Sequence, residues 1–300
     1  MAIQLQKPFI KWVGGKTQII DTVIKYIPNT INNYHELFLG GGSVLLSVLS
    51  LQESKKIIIN GNIYAYDLNN GLITLYKNIQ SNKDELFNFI TKYICEYNKI
   101  EDKIINRKAT TIEEACTSKE SYYYWIRNKF NTIEKYTVEY SALFMFLNKT
   151  CFRGIYREGP NGFNVPYGHY KTTPTIITKK ELDKISALIK DVQFICCDFK
   201  DSIKKAKVGD YVYLDPPYAP ENNKSFVGYT LDGFDLDTHK KLFSEINKLN
   251  ENNIKFAMSN AKVDLVTNYF SKYTSEDIIA RRAINSKKPG SKTTEIIISN

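Results

Sequence analysis

The sequence predicts an α/β protein in which a sheet domain of alternating strands and helices is split by a long, mainly helical insertion ending in a hairpin. Three observations carry that prediction. A strand, a glycine turn and a helix follow one another between Tyr34 and Leu51. Alternation of strands and helices returns from about residue 180. Residues 75–147, between them, are charged, tyrosine-rich and helical in pattern, with no strand signal. The expected parts are sheet domain over 1–71, insertion over 72–175, and sheet domain again over 176–300.

In chain order, Ile19, Ile20, Val23, Ile24 and Ile27 recur at helical spacing over Lys16–Ile27, and Pro28 stops the run. Tyr34–Leu39 reads as a short strand, Gly40-Gly41-Gly42 as a turn, and Ser43 as the N-cap of a helix Val44–Leu51. Lys55–Asp67 reads as strand structure broken by the turn Asn60-Gly61-Asn62. Residues 148–175 are punctuated by Gly, Asn and Pro and read as loop or hairpin. Helices are then expected at Lys180–Lys190, Leu236–Asn250 and Val263–Phe270. Strands are expected at Val192–Phe199, Asp210–Leu214, Ile254–Ser259 and Thr294–Ser299.

Composition narrows the function classes. A hydrophobic fraction of 43%, with 21 Tyr and 16 Phe among 300 residues, is ample for a packed core and excludes a disordered chain. Apolar runs such as Leu143–Leu147 fall far short of the ~18 residues a membrane span needs. Met1–Phe9 lacks the apolar stretch of a signal peptide, so an intracellular protein with no membrane partner is expected. The cysteines at 95, 116, 151, 196 and 197 form no CxxC pair; they are expected to be reduced and mostly packed, with no metal site. A net charge of +9 is compatible with a polyanionic partner but is weak by itself.

Three segments carry chemistry. In Phe38-Leu39-Gly40-Gly41-Gly42-Ser43, glycines between a strand and a helix let a backbone approach a ligand closely. Asp67 ends the next strand, where a carboxylate can accept both hydroxyls of a ribose. The dinucleotide pattern G-x-G-x-x-G fails at Leu45, which argues against NAD and leaves other adenosine cofactors, S-adenosylmethionine first. An ordinary tight turn would also fit this segment. Phe9–Thr17 superficially suggests a phosphate loop, but Ile10 stands where that motif needs its first glycine; Gly14-Gly15-Lys16 could instead hold a ligand carboxylate.

The third segment, Tyr211-Val212-Tyr213-Leu214-Asp215-Pro216-Pro217-Tyr218, is specific. An apolar strand ends in a carboxylate, two prolines that fix φ, and an aromatic ring. An ionised carboxylate is acceptor-only, and beside the Pro216 carbonyl it offers two acceptors to the two hydrogens of an exocyclic amine. Tyr218 gives a base a face to stack on.

Together these segments resemble adenine-N6 DNA methyltransferases of the Dam type. Phe9–Lys16, Phe38–Ser43, Asn161–Gly168 and Asp215–Tyr218 match that family in order, across nearly the whole chain, and Asn148–Arg157 and Glu295–Asn300 fit as well. The resemblance is nearest to the GATC-methylating enzymes of restriction–modification systems. It implies a Rossmann-like sheet binding S-adenosyl-L-methionine, with S-adenosyl-L-homocysteine as product, no metal, and a target-recognition insertion. It also implies double-stranded DNA as partner, a monomer or weak dimer, and a cognate restriction endonuclease acting on the same site.

Carried over by position, the resemblance implies that Asp215, Pro216, Pro217 and Tyr218 do the chemistry. Trp12, Gly15, Lys16, Phe38, Gly40, Gly42 and Ser43 would contact the cofactor, with Lys16 near its carboxylate, Asp67 on its ribose, and Asp198 and Phe199 beside its adenine. Phe152, Ile155, Arg157 and Pro166 match positions placed against the target bases, and Lys149, Arg153 and Asn164 join them as expected DNA contacts. Arg157 is suited to guanine O6 and N7, Ile155 and Pro166 to a thymine methyl. Residues 148–175 carry Lys149, Arg153, Arg157 and Lys171 against Glu158 alone, and 281–292 carry Arg281, Arg282, Lys287, Lys288 and Lys292 with no acid; both could touch phosphates, or be solvated basic loops.

Two departures stand out: His169 replaces a basic residue found in some relatives, and the turn at Asn60-Gly61 before Asp67 is longer than usual. Cytosine-N4 methyltransferases typically carry Ser in place of Asp215, and enzymes acting on RNA or protein glutamine usually carry Asn. A DNA-binding protein that has lost catalysis is opposed by intact Asp215–Tyr218, Lys16 and Asp67.

Overall fold

The computed structural model describes residues 3–220, 234–281 and 292–300, with backbone only at 280, 281, 292 and 293. Most of the basic segment 281–292 therefore lies outside the described residues. The chain divides into two compact units: Met1–Pro8 with Gly14–Leu68 and Asp191–Asn300, and Phe9–Val13 with Asn69–Lys190.

The first unit is built on a mixed, mostly parallel sheet. Thr30–Ile31 (β1) and Ile58–Ile59 (β3) form a small parallel pair of their own. The main sheet contains Tyr34–Glu36 (β2), Ile63–Asp67 (β4), Val192–Cys196 (β7), Tyr211–Leu214 (β8), Lys255–Ala261 (β9), Thr274–Arg281 (β10) and Lys292–Ser299 (β11). Its strand order is β10-β11-β9-β8-β2-β4-β7. The strands β9, β8, β2, β4 and β7 run parallel; β11 and β10 close one edge antiparallel. β8 is buried at every residue, as expected of a strand covered on both faces, and its Tyr-Val-Tyr-Leu run shows no polar alternation.

Several expected elements change here. The run Lys16–Ile27 is broken into a 3-10 turn Lys16–Gln18, a helix of one turn Ile20–Val23 (α1) and a second 3-10 turn Ile24–Tyr26. The first residue before α1 is Ile19, which has no capping oxygen, and β-branched residues fill the segment. Ser43 is not an N-cap. Gly42, at φ +68°, caps the helix Ser43–Glu53 (α2), and the Ser43 hydroxyl accepts the Lys16 N–H at 3.0 Å instead. The expected strand Lys55–Asp67 is shortened to β3 and β4. The strand β10 was absent from the sequence reading: its Thr-Ser-Glu-Asp start masks a pairing that only β11 creates. Asp198 and Phe199 do not end a strand. Asp198 caps the short helix Phe199–Ser202 (α9), accepting the Lys200 N–H at 2.8 Å. Leu236–Glu251 (α10) begins at the Asp235 cap, and Asp264–Tyr269 (α11) follows β9.

The second unit holds the helices Asn70–Ser81 (α3), Lys83–Asn98 (α4), Ile112–Ala115 (α5), Lys119–Thr132 (α6), Val138–Thr150 (α7) and Lys179–Leu188 (α8). Asn69, Thr111, Ser118, Thr137 and Thr178 cap five of them with side-chain oxygens. A hairpin of Glu158–Gly159 (β5) and Gly162–Phe163 (β6) follows α7. Among the described residues no helix is long and apolar enough to cross a membrane. The cysteines depart from expectation: Cys95, Cys116 and Cys196 are exposed, Cys197 is half-buried, and only Cys151 is buried.

Candidate active site

Parallel strands deliver their C-terminal residues to one edge of a sheet, where open α/β sheets bind ligands. Here β2, β4 and β8 lie side by side, so Glu36, Asp67 and Asp215 arrive together with the loops that follow them. Asp67 and the glycine turn meet directly: the Gly40 N–H donates to Asp67 Oδ2 at 2.9 Å. Gly40 and Gly42 have φ of +49° and +68°, a backbone shape that side chains disfavour. Phe38 lies 5.9 Å from Phe199, ring to ring, and Phe234 completes the cluster at 5.8 Å from Phe199.

Lys16 is buried, at 2% exposure, and its ammonium has two partners. It donates to the Gly14 carbonyl at 2.6 Å and lies 2.6 Å from each Asp215 oxygen. The ammonium that the sequence reading gave to a cofactor carboxylate is thus held on the carboxylate of this chain. It also sits 4.9 Å from the centre of the Tyr218 ring, within cation–π range. Burial pushes the Asp215 carboxyl up to about 6, Lys16 opposes that rise, and Glu295 adds to it. The Tyr218 hydroxyl donates to Glu295 Oε2 at 2.7 Å.

Glu36 was not singled out in the sequence. It is buried inside β2, receives the Tyr34 hydroxyl at 2.7 Å, and is pushed up to about 8 by burial and by the nearby charges of Asp215 and Asp67. The signal was present: an acid in a strand with no exposed residue is costly unless it is bonded or neutral. Phe234 escaped because nothing in its neighbourhood forms a motif.

Gly15, which precedes the 3-10 turn at Lys16, and Pro216 and Pro217 also lie in the first unit; Trp12 and the expected DNA contacts belong to the second. Trp12 stacks on Tyr156, with ring centres 5.7 Å apart, and lies 6.4 Å from Phe144. Lys149 is half-buried at the end of α7, and burial lowers its ammonium below the usual range. Phe152 and Arg153 are exposed, with the Arg153 guanidinium 5.1 Å over the Phe152 ring. Arg153 takes a left-handed φ of +57°, an uncommon geometry that aims a side chain out of a turn. Arg157 is exposed and donates through Nε to Asn164 Oδ1 at 2.7 Å. The Pro166 carbonyl accepts the Phe152 N–H at 2.8 Å, and Ile155 is half-buried beside them. Six of the seven DNA-contact candidates lie in or beside the hairpin, between residues 152 and 166, and Lys149 lies at the end of α7. No group of three or more His, Cys, Asp or Glu suited to a metal occurs among the described residues.

Residues 12–285 match the family model described as D12 class N6 adenine-specific DNA methyltransferase. The chain belongs to that family. Among similar proteins is the Type II methyltransferase M.MjaIII of Methanocaldococcus jannaschii, 34% identical, with 94% of this chain and 93% of the relative covered. The Type II methyltransferase M1.LlaDCHI of Lactococcus lactis subsp. cremoris is 30% identical over 98% of this chain and 95% of the relative. The DNA adenine methylase of Haemophilus influenzae is 32% identical over 79% of this chain and 72% of its own length. The protein is therefore an adenine-N6 DNA methyltransferase, and its substrate is DNA.

Proposed function

We propose that this methyltransferase uses S-adenosyl-L-methionine, flips an adenine out of duplex GATC, and methylates its N6. The observation that carries the reading is the meeting of Asp215, Asp67 and the Gly40–Gly42 turn at one sheet edge, with Asp215 half-buried and charge-matched by Lys16. The residues fit the cofactor: Asp67 for a ribose, Phe38 and Phe199 for an adenine face, and open glycine backbone for close approach. When bound, the cofactor supplies an activated methyl group on its sulfonium.

The amine of adenine is a poor nucleophile because its lone pair is shared with the ring. Asp215 and the Pro216 carbonyl accept its two hydrogens and draw the nitrogen toward sp³ geometry. Lys16 keeps Asp215 ionised despite burial, and a carboxylate has lone pairs to spare for the amine. Tyr218, held by Glu295, offers the flipped base a stacking surface and offsets part of the unstacking cost of a few kcal/mol. Positioning and electrostatics thus supply the rate.

The insertion, 72–175, serves as target-recognition domain, with Lys149, Phe152, Arg153, Ile155, Arg157, Asn164 and Pro166 toward DNA. GATC rests on the match of Phe152, Ile155, Arg157 and Pro166 to the recognition positions of GATC-methylating enzymes. The type II names of two relatives favour a partner endonuclease for this chain. Incubation with labelled S-adenosylmethionine and duplexes differing only at GATC, followed by identification of the modified base, tests the whole reading. N6-methyladenine confined to GATC supports it; N6-methyladenine elsewhere discards the assigned recognition residues; no transfer discards the cofactor or the site.

A further inference from the structure

The strand β8 ends at Leu214, and the chain beyond it cannot extend the sheet ladder, because Pro216 and Pro217 have no N–H to donate. Yet the proposed chemistry needs the Pro216 carbonyl and the Tyr218 ring held still, on a segment without regular structure. Side chains from two later elements do this holding. His239 of α10 places Nε2 at 3.1 Å from the Pro217 carbonyl. Asn260 of β9 accepts the Ala219 N–H at 3.0 Å and the Ala261 N–H at 2.8 Å through the same Oδ1. The two grip the backbone on either side of Tyr218, whose hydroxyl is bonded separately to Glu295.

The chemistry of each grip is determined by its neighbours. Two backbone donors converge on one end of the Asn260 side chain, which identifies that end as the oxygen. His239 is 1% exposed and Asn260 is fully buried, so neither group has water as an alternative partner. Around the imidazole stand the rings of Phe234 at 4.6 Å and Phe243 at 6.0 Å, with Asp235 as the charged group facing it. Burial lowers the imidazole below its usual range, so at neutral pH the ring carries one proton. Its Nδ1 faces the Asp235 carbonyl at 2.9 Å, an oxygen that also receives the His239 backbone N–H at 3.0 Å. Both ring nitrogens therefore face carbonyl acceptors, and the grip on the loop requires the proton on Nε2, toward Pro217.

We infer that His239 and Asn260 are positioning residues of this methyltransferase, fixing the Pro217–Ala219 backbone so that Pro216 and Tyr218 meet the flipped base. The inference rests on the proposed role of Asp215–Tyr218. Neither residue touches the reacting atoms; each acts through the loop.

The test compares His239→Phe, His239→Gln, Asn260→Leu and Asp215→Ala with the wild type, using an unmodified duplex for kcat and KM and a duplex carrying 2-aminopurine in place of the target adenine for fluorescence. His239→Phe and Asn260→Leu lower kcat at saturating DNA and cofactor by on the order of 10- to 100-fold, as misplacement of reacting groups does. The KM for DNA stays within about threefold, and the fluorescence of the flipped 2-aminopurine changes because its stacking surface moves. His239→Gln, whose amide N–H can reach Pro217, restores both readouts. Wild-type kcat in His239→Phe and Asn260→Leu overturns the inference. So does lost activity with unchanged fluorescence and no rescue by Gln, which indicates a purely structural role. A measurement independent of variant folding is the tautomer of His239 in ¹⁵N-histidine-labelled wild-type protein: Nε2–H is expected, and Nδ1–H overturns the assignment. If Asp215→Ala keeps full activity, the reading of the loop itself fails; if Asp215→Ala is inactive while the other variants are normal, only this inference fails.

Discussion

The sheet edge and the hairpin proposed to read DNA use the same kinds of residue under opposite conditions. At the sheet edge the ionisable groups described above are held by other groups of the chain: Lys16 by Asp215, Asp67 by Gly40, Glu36 by Tyr34, Glu295 by Tyr218. Lys16 and Glu36 are buried and Asp67, Asp215 and Glu295 half-buried, and the Glu36 and Asp215 carboxyls are displaced well above their usual range. Around the hairpin, Phe152 is 43% exposed, and Arg153 and Arg157 are exposed, with Asn164 accepting from Arg157. Chemistry on a weak nucleophile needs acceptors fixed before the substrate arrives, in a site poor in water. Reading a groove needs donors that are still available when the groove arrives. Burial is therefore the distinguishing variable, and damage at the two places should appear in different observables.

The largest effect is expected at the buried site. Asp215→Ala should lower turnover by on the order of 10³-fold while leaving affinity for specific DNA nearly unchanged, as measured by single-turnover transfer and by mobility shift. A substantial loss of affinity instead would erase the contrast between the two regions. Lys16→Met comes next. Asp215 must be ionised to accept from the amine, so wild-type kcat should rise as pH increases through about 6. Removing the Lys16 charge removes the contribution that lowers the carboxyl, so the acid limb should move to higher pH, with a kcat at pH 7 lower by roughly 10- to 100-fold.

At the hairpin, Arg157→Ala should cost about 1–3 kcal/mol of discrimination at one base pair while kcat on saturating cognate DNA is kept, as read from kcat/KM on substituted duplexes. Equal losses on every duplex would move Arg157 from base reading to phosphate binding.

The smallest effect concerns stability. The Glu36 carboxyl is raised in the fold from 4.5 to about 8, so the protonated form is the one the fold favours. Its contribution is complete below about 4.5 and is lost as pH rises through about 8. Glu36→Gln cannot ionise, so its unfolding free energy relative to wild type should climb between about pH 5 and pH 8, by at most ~1.4 kcal/mol per pH unit, and level off above that, as read by denaturant melts. Parallel curves for the two proteins would show that Glu36 stays charged in the fold.

What the chain alone determined was the part governed by local covalent chemistry. The prolines after Leu214, the glycines at 40–42 and the turn residues around 148–175 act through φ, missing donors and small size, and these act wherever the segment lies. The positions of Asp215–Tyr218 and Asp67 at strand ends were therefore legible, as were most helices whose caps are adjacent in sequence, such as Asp235 before α10. Tertiary structure decided the partners. Ser43 has the composition of a helix cap, yet its hydroxyl serves Lys16, 27 residues away. β10 exists because β11 pairs with it. Asp198 and Phe199 changed from strand end to helix start where a side-chain cap was available. Lys16 met Asp215 across 199 residues, strand β2 brought Glu36 beside β8, and α10 and β9 brought His239 and Asn260 to the backbone around Tyr218. Hydrogen bonds and desolvation depend on distances of a few ångströms in space, and separation along the chain does not determine those distances.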